Sequence, residues 1–573
     1  MSLPATDSLK KIAIIGGGPA ALYLLKEFYG KGPGHYTIDI FEAGDRPGCG
    51  MPYSEAGANP EHIANISGNE IPELLTPLTD WIKSLPTPTL HKFGPGTDHI
   101  DEHKVVPRLL LGQYLEEQFN ELLERAIKKG IAITAHLSTR VKDIKEKGSI
   151  DKVEIETADN KNIEFDFVIV CTGHSWPHRK EGEVTGYFDS PYPPRKLMNQ
   201  YNHPVALKGG SLTAIDAIVT LANLHGQFTR KDNRELVWTP NKETPEFRMV
   251  IHSLKGLLPA VRIHLDDPQL KNDILLSEKD IFRHIINNGG FLSLDFLFER
   301  NFKEPMKSRD PEFYQQIKDK SIEEFTNDIM QVRLQTDPIQ LFKAEYQEAI
   351  HSIQREKPVY WKELLAALNF LINYPAKHLS AEDMIRLQNV LMPLITIIIA
   401  FVPLESCEQL IALFESGRLD IVAVDEDSET EPCKDGGTIY HYKDESGTEH
   451  HQRYFTFIDC TGQPPLSIED LPFRSLRKGN NLSPARIKFR SPEQGKKEKE
   501  KGNNEVQQET DDWYLCLPGM AITDSFSPID RDGNINPRIY MLATPFISGF
   551  NPDFSGLDFC AKAAKIVTED ILS

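Results

Sequence analysis

The stretch IAIIGGGPAALYLL, residues 12–25, decides how the chain is read. Ile12 to Ile15 are apolar and β-prone, so they suit a strand buried on both faces. Gly16 permits a tight turn, and Gly18 lets a pyrophosphate approach the main chain. Ala21, in the third slot of GxGxx(G/A), lets helix and strand pack closely. Pro19 and Ala20 open the helix, whose free N–H groups and positive dipole end attract phosphates. YTIDIFEAG, residues 36–44, supplies a second strand ending in Glu42. An acid about 20 residues past the glycines is where a ribose hydroxyl finds its acceptor. Strand, glycine turn, helix and acid together predict a dinucleotide site; a ligand-free glycine turn in a plain parallel sheet is the alternative.

The composition narrows the remaining classes. With 573 residues the chain exceeds one ordinary core, so two or three domains are expected. The net charge of −20, from 64 basic and 84 acidic residues, argues against nucleic-acid binding, which needs a basic face. The seven cysteines, at 49, 171, 407, 433, 460, 516 and 560, form no CxxC or CxxxxC and have no metal-like spacing. They read as reduced thiols of a cytoplasmic protein, and no metal site is expected. MSLPATDSLKK at the start lacks the apolar core of a signal peptide. NVLMPLITIIIAFVPL (389–404) is shorter than a membrane span and carries Pro393 and Pro403, so it reads as a buried helix.

A second unit echoes the first. In PVALKGGSLTAIDAIVTLANL (204–224) an apolar strand again meets glycines and runs into an apolar helix, with Gly209, Gly210, Ser211, Leu212 and Thr213 at the turn. Two strands, FDFVIVCTGHS and RYFTFIDCTGQPP, end in Cys-Thr-Gly; the first places Thr172, Gly173 and His174 at its end. The strand EFRMVIHS ends in Ser253-Leu254-Lys255 without an acid. A 2′-phosphate prefers a cation and a hydroxyl there, and a free ribose prefers an acid. NADPH is therefore expected over NADH, with Lys255 and Arg262 as phosphate partners; a solvated surface lysine is the plain alternative for Lys255. Residues from about 275 to 418 repeat apolar positions at helical spacing and read as a helical insertion. DEDSETEPCKDGG and SPEQGKKEKEKGNNEVQQETDD read as mobile polar loops. No GxSxG, HExxH or Walker motif occurs.

These paired features resemble the two-dinucleotide-binding-domain flavoproteins, and more closely the bacterial FAD/NAD(P)-binding family related to flavin-dependent N-hydroxylating monooxygenases. PGCGMPYS and HIANISG resemble the family's flavin-proximal loop, which points to Gly50, Tyr53 and Asn65. VPRLLLGQYL resembles its helix-entry arginine, which would bring Arg108 near the flavin. VALKGGSLTAIDA resembles its second glycine motif, with Thr213 and Asp216 in matching slots, but Ser211 stands where glycine is expected and narrows the room for a pyrophosphate. SLKGLLP carries Leu254 where arginine is common, and FSGLDF resembles the segment that presents Gly556, Leu557 and Asp558 to the flavin ring. For Asp558 a helix-end charge or cap is the alternative role.

The resemblance implies an α/β fold with two Rossmann-like dinucleotide-binding domains and a mainly helical insertion. The FAD fold would span 1–190 and 466–573, the NAD(P) fold 191–274 and 419–465, and the insertion 275–418. It further implies FAD and NADPH as cofactors and an oxidoreductase. The expected reaction is hydroxylation of a small-molecule substrate by molecular oxygen through a peroxyflavin. A flavin reductase without oxygen insertion and a non-enzymatic FAD-binding protein remain open, as does assembly into a homo-oligomer.

Overall fold

The computed structural model describes residues 9–93, 101–147, 152–176, 179–232, 234–267, 276–444, 446–479, 481–552 and 556–573. Most of the N-terminal stretch, and Phe554 and Ser555 of FSGLDF, lie outside the described residues. The first sheet is wholly parallel. Its strands are β1 (Lys10–Ile15), β2 (Tyr36–Phe41), β3 (Ala132–His136), β4 (Phe167–Val170) and, from the far end of the chain, Ile539–Met541. The order places Ile539–Met541 at one edge, followed by β4, β1, β2 and β3. Ile12 lies opposite Ile38 on one side and Phe167 on the other. Ile12, Ala13 and Ile14 are fully buried, as a strand covered on both faces requires. Helix α1 (Pro19–Lys31) packs against α2 (Arg108–Lys128) and against the C-terminal helix Leu557–Leu572.

The second sheet repeats the plan. The edge strand β5 (Tyr187–Phe188) is followed in space by Thr456–Asp459, β6 (Pro204–Lys208), β7 (Arg248–Leu254) and β8 (Leu419–Val424), all parallel. Strand β5 falls in the range that the sequence reading assigns to the first fold, yet it pairs with the second sheet. Helix α3 (Leu212–His225) follows β6, and Ile215, Ile218 and Leu221 bury one side of it. The protein is thus an α/β molecule with two parallel sheets and a helical middle.

That middle runs from the helix Glu278–Asn287 to the helix Leu404–Glu415. In sequence it interrupts the second fold, between β7 and β8. Its apolar interior, including Leu364, Leu368, Leu394 and Ile398, is nevertheless continuous with the core of the first fold. Tyr374 stacks on Phe559 at 6.2 Å and meets Phe526 edge-on at 6.4 Å. The amide of Asn551 donates to the Asn373 carbonyl at 3.3 Å. NVLMPLITIIIAFVPL contributes the helix Met392–Ile399, which buries Leu394, Ile395 and Ile398. No helix among the described residues is long and apolar enough to cross a membrane.

Two stretches expected as loops carry structure. SPEQGKKEKE forms the helix Pro492–Glu500, because Ser491 caps it by accepting the Gln494 N–H and Pro492 opens it. Gly495 seats that helix on Trp513. VQQE and DWYLCLPGM that follow pair as antiparallel strands. In DEDSETEPCKDGG, Glu429–Pro432 pairs antiparallel with Thr438–Lys443. Charge density masked the cap and the hairpin.

One helix glycine fixes the loop over the first fold. Gly112 of α2 lies against the Tyr53 carbonyl, so any side chain there would overlap it. Gly112→Ala is expected to lower stability by about 1–3 kcal/mol, the usual range for overpacking, visible as a lower midpoint in thermal unfolding.

Candidate functional site

The first glycine turn is built from main chains in contact. Gly16 has φ of +103°, and a Cβ there would come within 2.5 Å of the Cys171 carbonyl oxygen. A Cβ on Gly18 would lie 3.4 Å from Gly50 Cα, and Gly50, with φ of +62°, faces Pro19. Glu42 closes the turn: its Oε2 accepts the Gly17 N–H at 2.6 Å, and its Oε1 accepts the Gly44 N–H at 2.6 Å. Each oxygen keeps a lone pair for a further donor.

Around this turn lies a cleft of about 900 Å³. Gly16, Gly18, Pro19 and Ala20 form one wall, and Glu42 stands beside them. Gly50 and Tyr53 form a second wall, Thr172 and Gly173 a third, and Gly556 and Leu557 the far end. Ala21 is fully buried behind the turn, where it serves helix packing.

Two helix N-termini address the same cleft. Helix α1 begins after Gly18 and the C-terminal helix after Gly556, and neither N-cap has a side-chain hydrogen bond. First-turn N–H groups other than that of Phe559, which Asp558 accepts, are left for anionic or carbonyl oxygens of a ligand. Thr172 Oγ1 and His174 Nδ1 are buried on the cleft wall without a hydrogen-bond partner. Bare main-chain donors, one acid and two unsatisfied polar atoms fit the diphosphate, ribose and ring of a flavin dinucleotide.

Three expected residues stand elsewhere. Arg108 pairs with Asp216 of α3 instead of facing the cleft. Asn65 lies on the short strand Ile63–Ser67, where its carbonyl accepts from Arg262. Asp558 folds back over Gly556, whose φ of +124° makes room for it, and accepts the Phe559 N–H at 2.9 Å. It is a first-turn acid and not a cap. Burial, partly offset by main-chain N–H groups, pushes its carboxyl up to about 6.

The thiols around the cleft are inert. Burial pushes Cys49 up to about 11 and Cys560 up to about 12, and it raises Cys171 as well. Burial lifts the Tyr53 phenol to about 12 and lowers His174, which is therefore neutral at pH 7.

The second glycine turn mirrors the first. Gly209 has φ of +99°, and a Cβ there would lie 2.9 Å from the Cys460 carbonyl. Gly210 packs against Ser253, whose Oγ is buried and unpartnered. Ser211 is exposed and is the N-cap before Leu212, with Thr213 half-buried beside it. Lys255 is exposed in a left-handed turn of φ +54°, its N–H donating to the Val424 carbonyl at 3.0 Å. Arg262, by contrast, is buried and engaged in the first fold, against Glu70, Ser67 and the Asn65 carbonyl.

Between the folds lies a chamber of about 630 Å³. It shares Met51, Arg140, His174 and Ser175 with the cleft and continues to Trp176 and Tyr192. The two crossing segments are clasped here. Gln463 accepts the Ser175 N–H and donates to the Ser175 carbonyl, each at 2.8 Å, and Trp176 donates to the Gly462 carbonyl at 3.0 Å. Nothing local in the sequence marks this clasp, since Ser175 and Gln463 are 288 residues apart.

Residues 13–175 match the FAD-NAD(P)-binding family. That span contains the first glycine turn, Glu42 and the Thr172-Gly173 strand end on the cleft. Residues 277–399 match the YdhS-like middle domain. Over 569 residues it is 26% identical to the uncharacterized protein YdhS of Escherichia coli (strain K12), which covers 98% of each chain. Its fold is similar to that of an ornithine N-hydroxylase from Kutzneria sp. 744, with a TM-score of 0.45 and 13% identity over 98% of each chain. It is also similar to the bacillithiol disulfide reductase of Staphylococcus aureus, with a TM-score of 0.42 and 11% identity over 98% of each chain.

The raised Asp558 carboxyl makes the protein's stability pH-dependent. The folded state holds this proton more tightly than the unfolded chain, so stability falls as pH rises from about 4 to about 6. In the cofactor-free protein Asp558→Asn is expected to flatten that fall and to gain at most about 3 kcal/mol at pH 7. Urea unfolding across that pH range reads it directly.

Proposed function

We propose that the protein is an FAD-dependent oxidoreductase that draws electrons from NADPH and oxygenates a small molecule. One observation carries this reading: two glycine turns of the same build, each at the end of a parallel strand, the first of them opening on a cleft of about 900 Å³. Ligands of open parallel sheets bind outside such strand ends. The first crevice would hold FAD through the main-chain N–H groups after Gly18, the Glu42 carboxylate and the N-terminus of the last helix. A positive helix end there favours negative charge on a bound ring. When bound, the flavin supplies the redox chemistry. The protein orients it and excludes water, which the packing of Tyr374 against Phe559 supports.

The second crevice would hold NADPH, with Gly209, Gly210, Ser211, Leu212 and Thr213 facing its diphosphate. Ser253 and Lys255 supply a hydroxyl and a cation where an NADH site would carry an acid. The inert state of Cys49, Cys171 and Cys560 supports oxygen or an organic acceptor, and not a cysteine pair, as the electron sink.

The purified protein is expected to be yellow and to lose its absorbance near 450 nm on anaerobic titration with NADPH, about one equivalent per flavin. A colourless protein that takes up no added FAD would overturn the reading. Glu42→Ala is expected to weaken FAD at least about tenfold, or about 1.4 kcal/mol. Lys255→Ala should raise the KM for NADPH about tenfold and leave that for NADH unchanged, as steady-state oxidation rates will tell.

A further inference from the structure

The junction between the two folds holds a buried charge pair that the proposed cofactor contacts do not use. Arg108, at the start of α2 in the first fold, pairs with Asp216 on α3 of the second. Their side chains are only 13% and 7% exposed. The same carboxylate accepts the Tyr192 hydroxyl at 2.8 Å, from the segment that connects the folds. Tyr192 packs 5.2 Å from Trp176, which is tied to Gly462, so the pair is wired to the clasp between the crossing segments. On the other side His62 Nδ1 accepts the Asn59 N–H at 3.2 Å. Its Nε2 then carries the proton and faces the Asp216 carbonyl at 3.1 Å and Thr220 Oγ1 at 2.9 Å. Parts of the first fold, the connection and the second fold therefore converge on one residue.

A buried charge left without its partner is strongly unfavourable. Rotation of the second fold about the junction would separate Arg108 from Asp216 and strip Tyr192 of its acceptor. We propose that Asp216 is a positioning residue: through Arg108 and Tyr192 it fixes the angle of the second fold, so that the second glycine turn keeps its place relative to the first throughout turnover. This rests on the reading of the two crevices as FAD and NADPH sites. Asp216 acts through its two partners and touches neither crevice's glycine turn.

The test uses the full-length flavin-loaded protein and the substitutions Asp216→Asn and Tyr192→Phe, which keep shape and remove one charge or one hydrogen bond. Two quantities are measured. The first is amide hydrogen exchange in 171–176 and 460–464, the segments that cross between the folds. The second is the anaerobic rate of flavin reduction by NADPH, set beside reduction by dithionite, which needs no second fold. Asp216→Asn is expected to speed exchange in both segments at least tenfold. It should slow reduction by NADPH at least tenfold, while dithionite reduction and flavin content stay as in wild type. Tyr192→Phe, the milder change, should shift both in the same direction by a few-fold, and it decides the matter if Asp216→Asn does not fold. Unchanged exchange in the crossing segments, or an equal slowing by both reductants, would overturn the proposal. Wild-type protein that NADPH fails to reduce would instead overturn the cofactor reading, with the exchange result still deciding what Asp216 holds.

Discussion

Two main-chain contacts organise the molecule. At Gly16 and at Gly209 the turn after a central strand runs so close to a neighbouring strand end that a Cβ would collide with the carbonyl of Cys171 or Cys460. Both glycines take a left-handed φ, which an L side chain adopts only under strain. The contact sets the depth of each crevice and aims the following helix at it. In the first fold it also places the Gly17 N–H within reach of Glu42. The internal echo in the sequence, two glycine turns and two Cys-Thr-Gly strand ends, is the trace of one device used twice.

The helical middle changes what the first crevice can be. Its Tyr374 stacks on Phe559 of the C-terminal helix, a ring that Phe526, outside the middle, meets edge-on, and the apolar interior runs from α1 through the last helix into the middle. An excursion of the chain from the second fold thus completes the core of the first.

The junction between the folds is electrostatic where the cores are not continuous. Arg108 with Asp216, and Arg262 with Glu70 and Ser67, are buried and span more than a hundred residues of sequence. Each arginine was the natural candidate for a cofactor anion: Arg108 by the motif it sits in, Arg262 by its place after a strand end. Both are instead paired with carboxylates.

By itself the sequence determined what is local. Strands from runs such as IAII, helices from three- and four-residue periodicity, and glycine turns from GGGPAA follow from the nearest residues, and so did Gly16, Gly18, Glu42, Gly50 and Thr172 on one cleft. It missed the helix at Pro492–Glu500 because a short capped helix with charged residues all round has no apolar stripe to betray it. Only the tertiary structure decided which charged side chains pair. Arg108 meets Asp216 across 108 positions and Arg262 meets Glu70 across 192. A buried cation takes whichever carboxylate the packing of distant segments brings beside it, and no neighbouring residue records that choice.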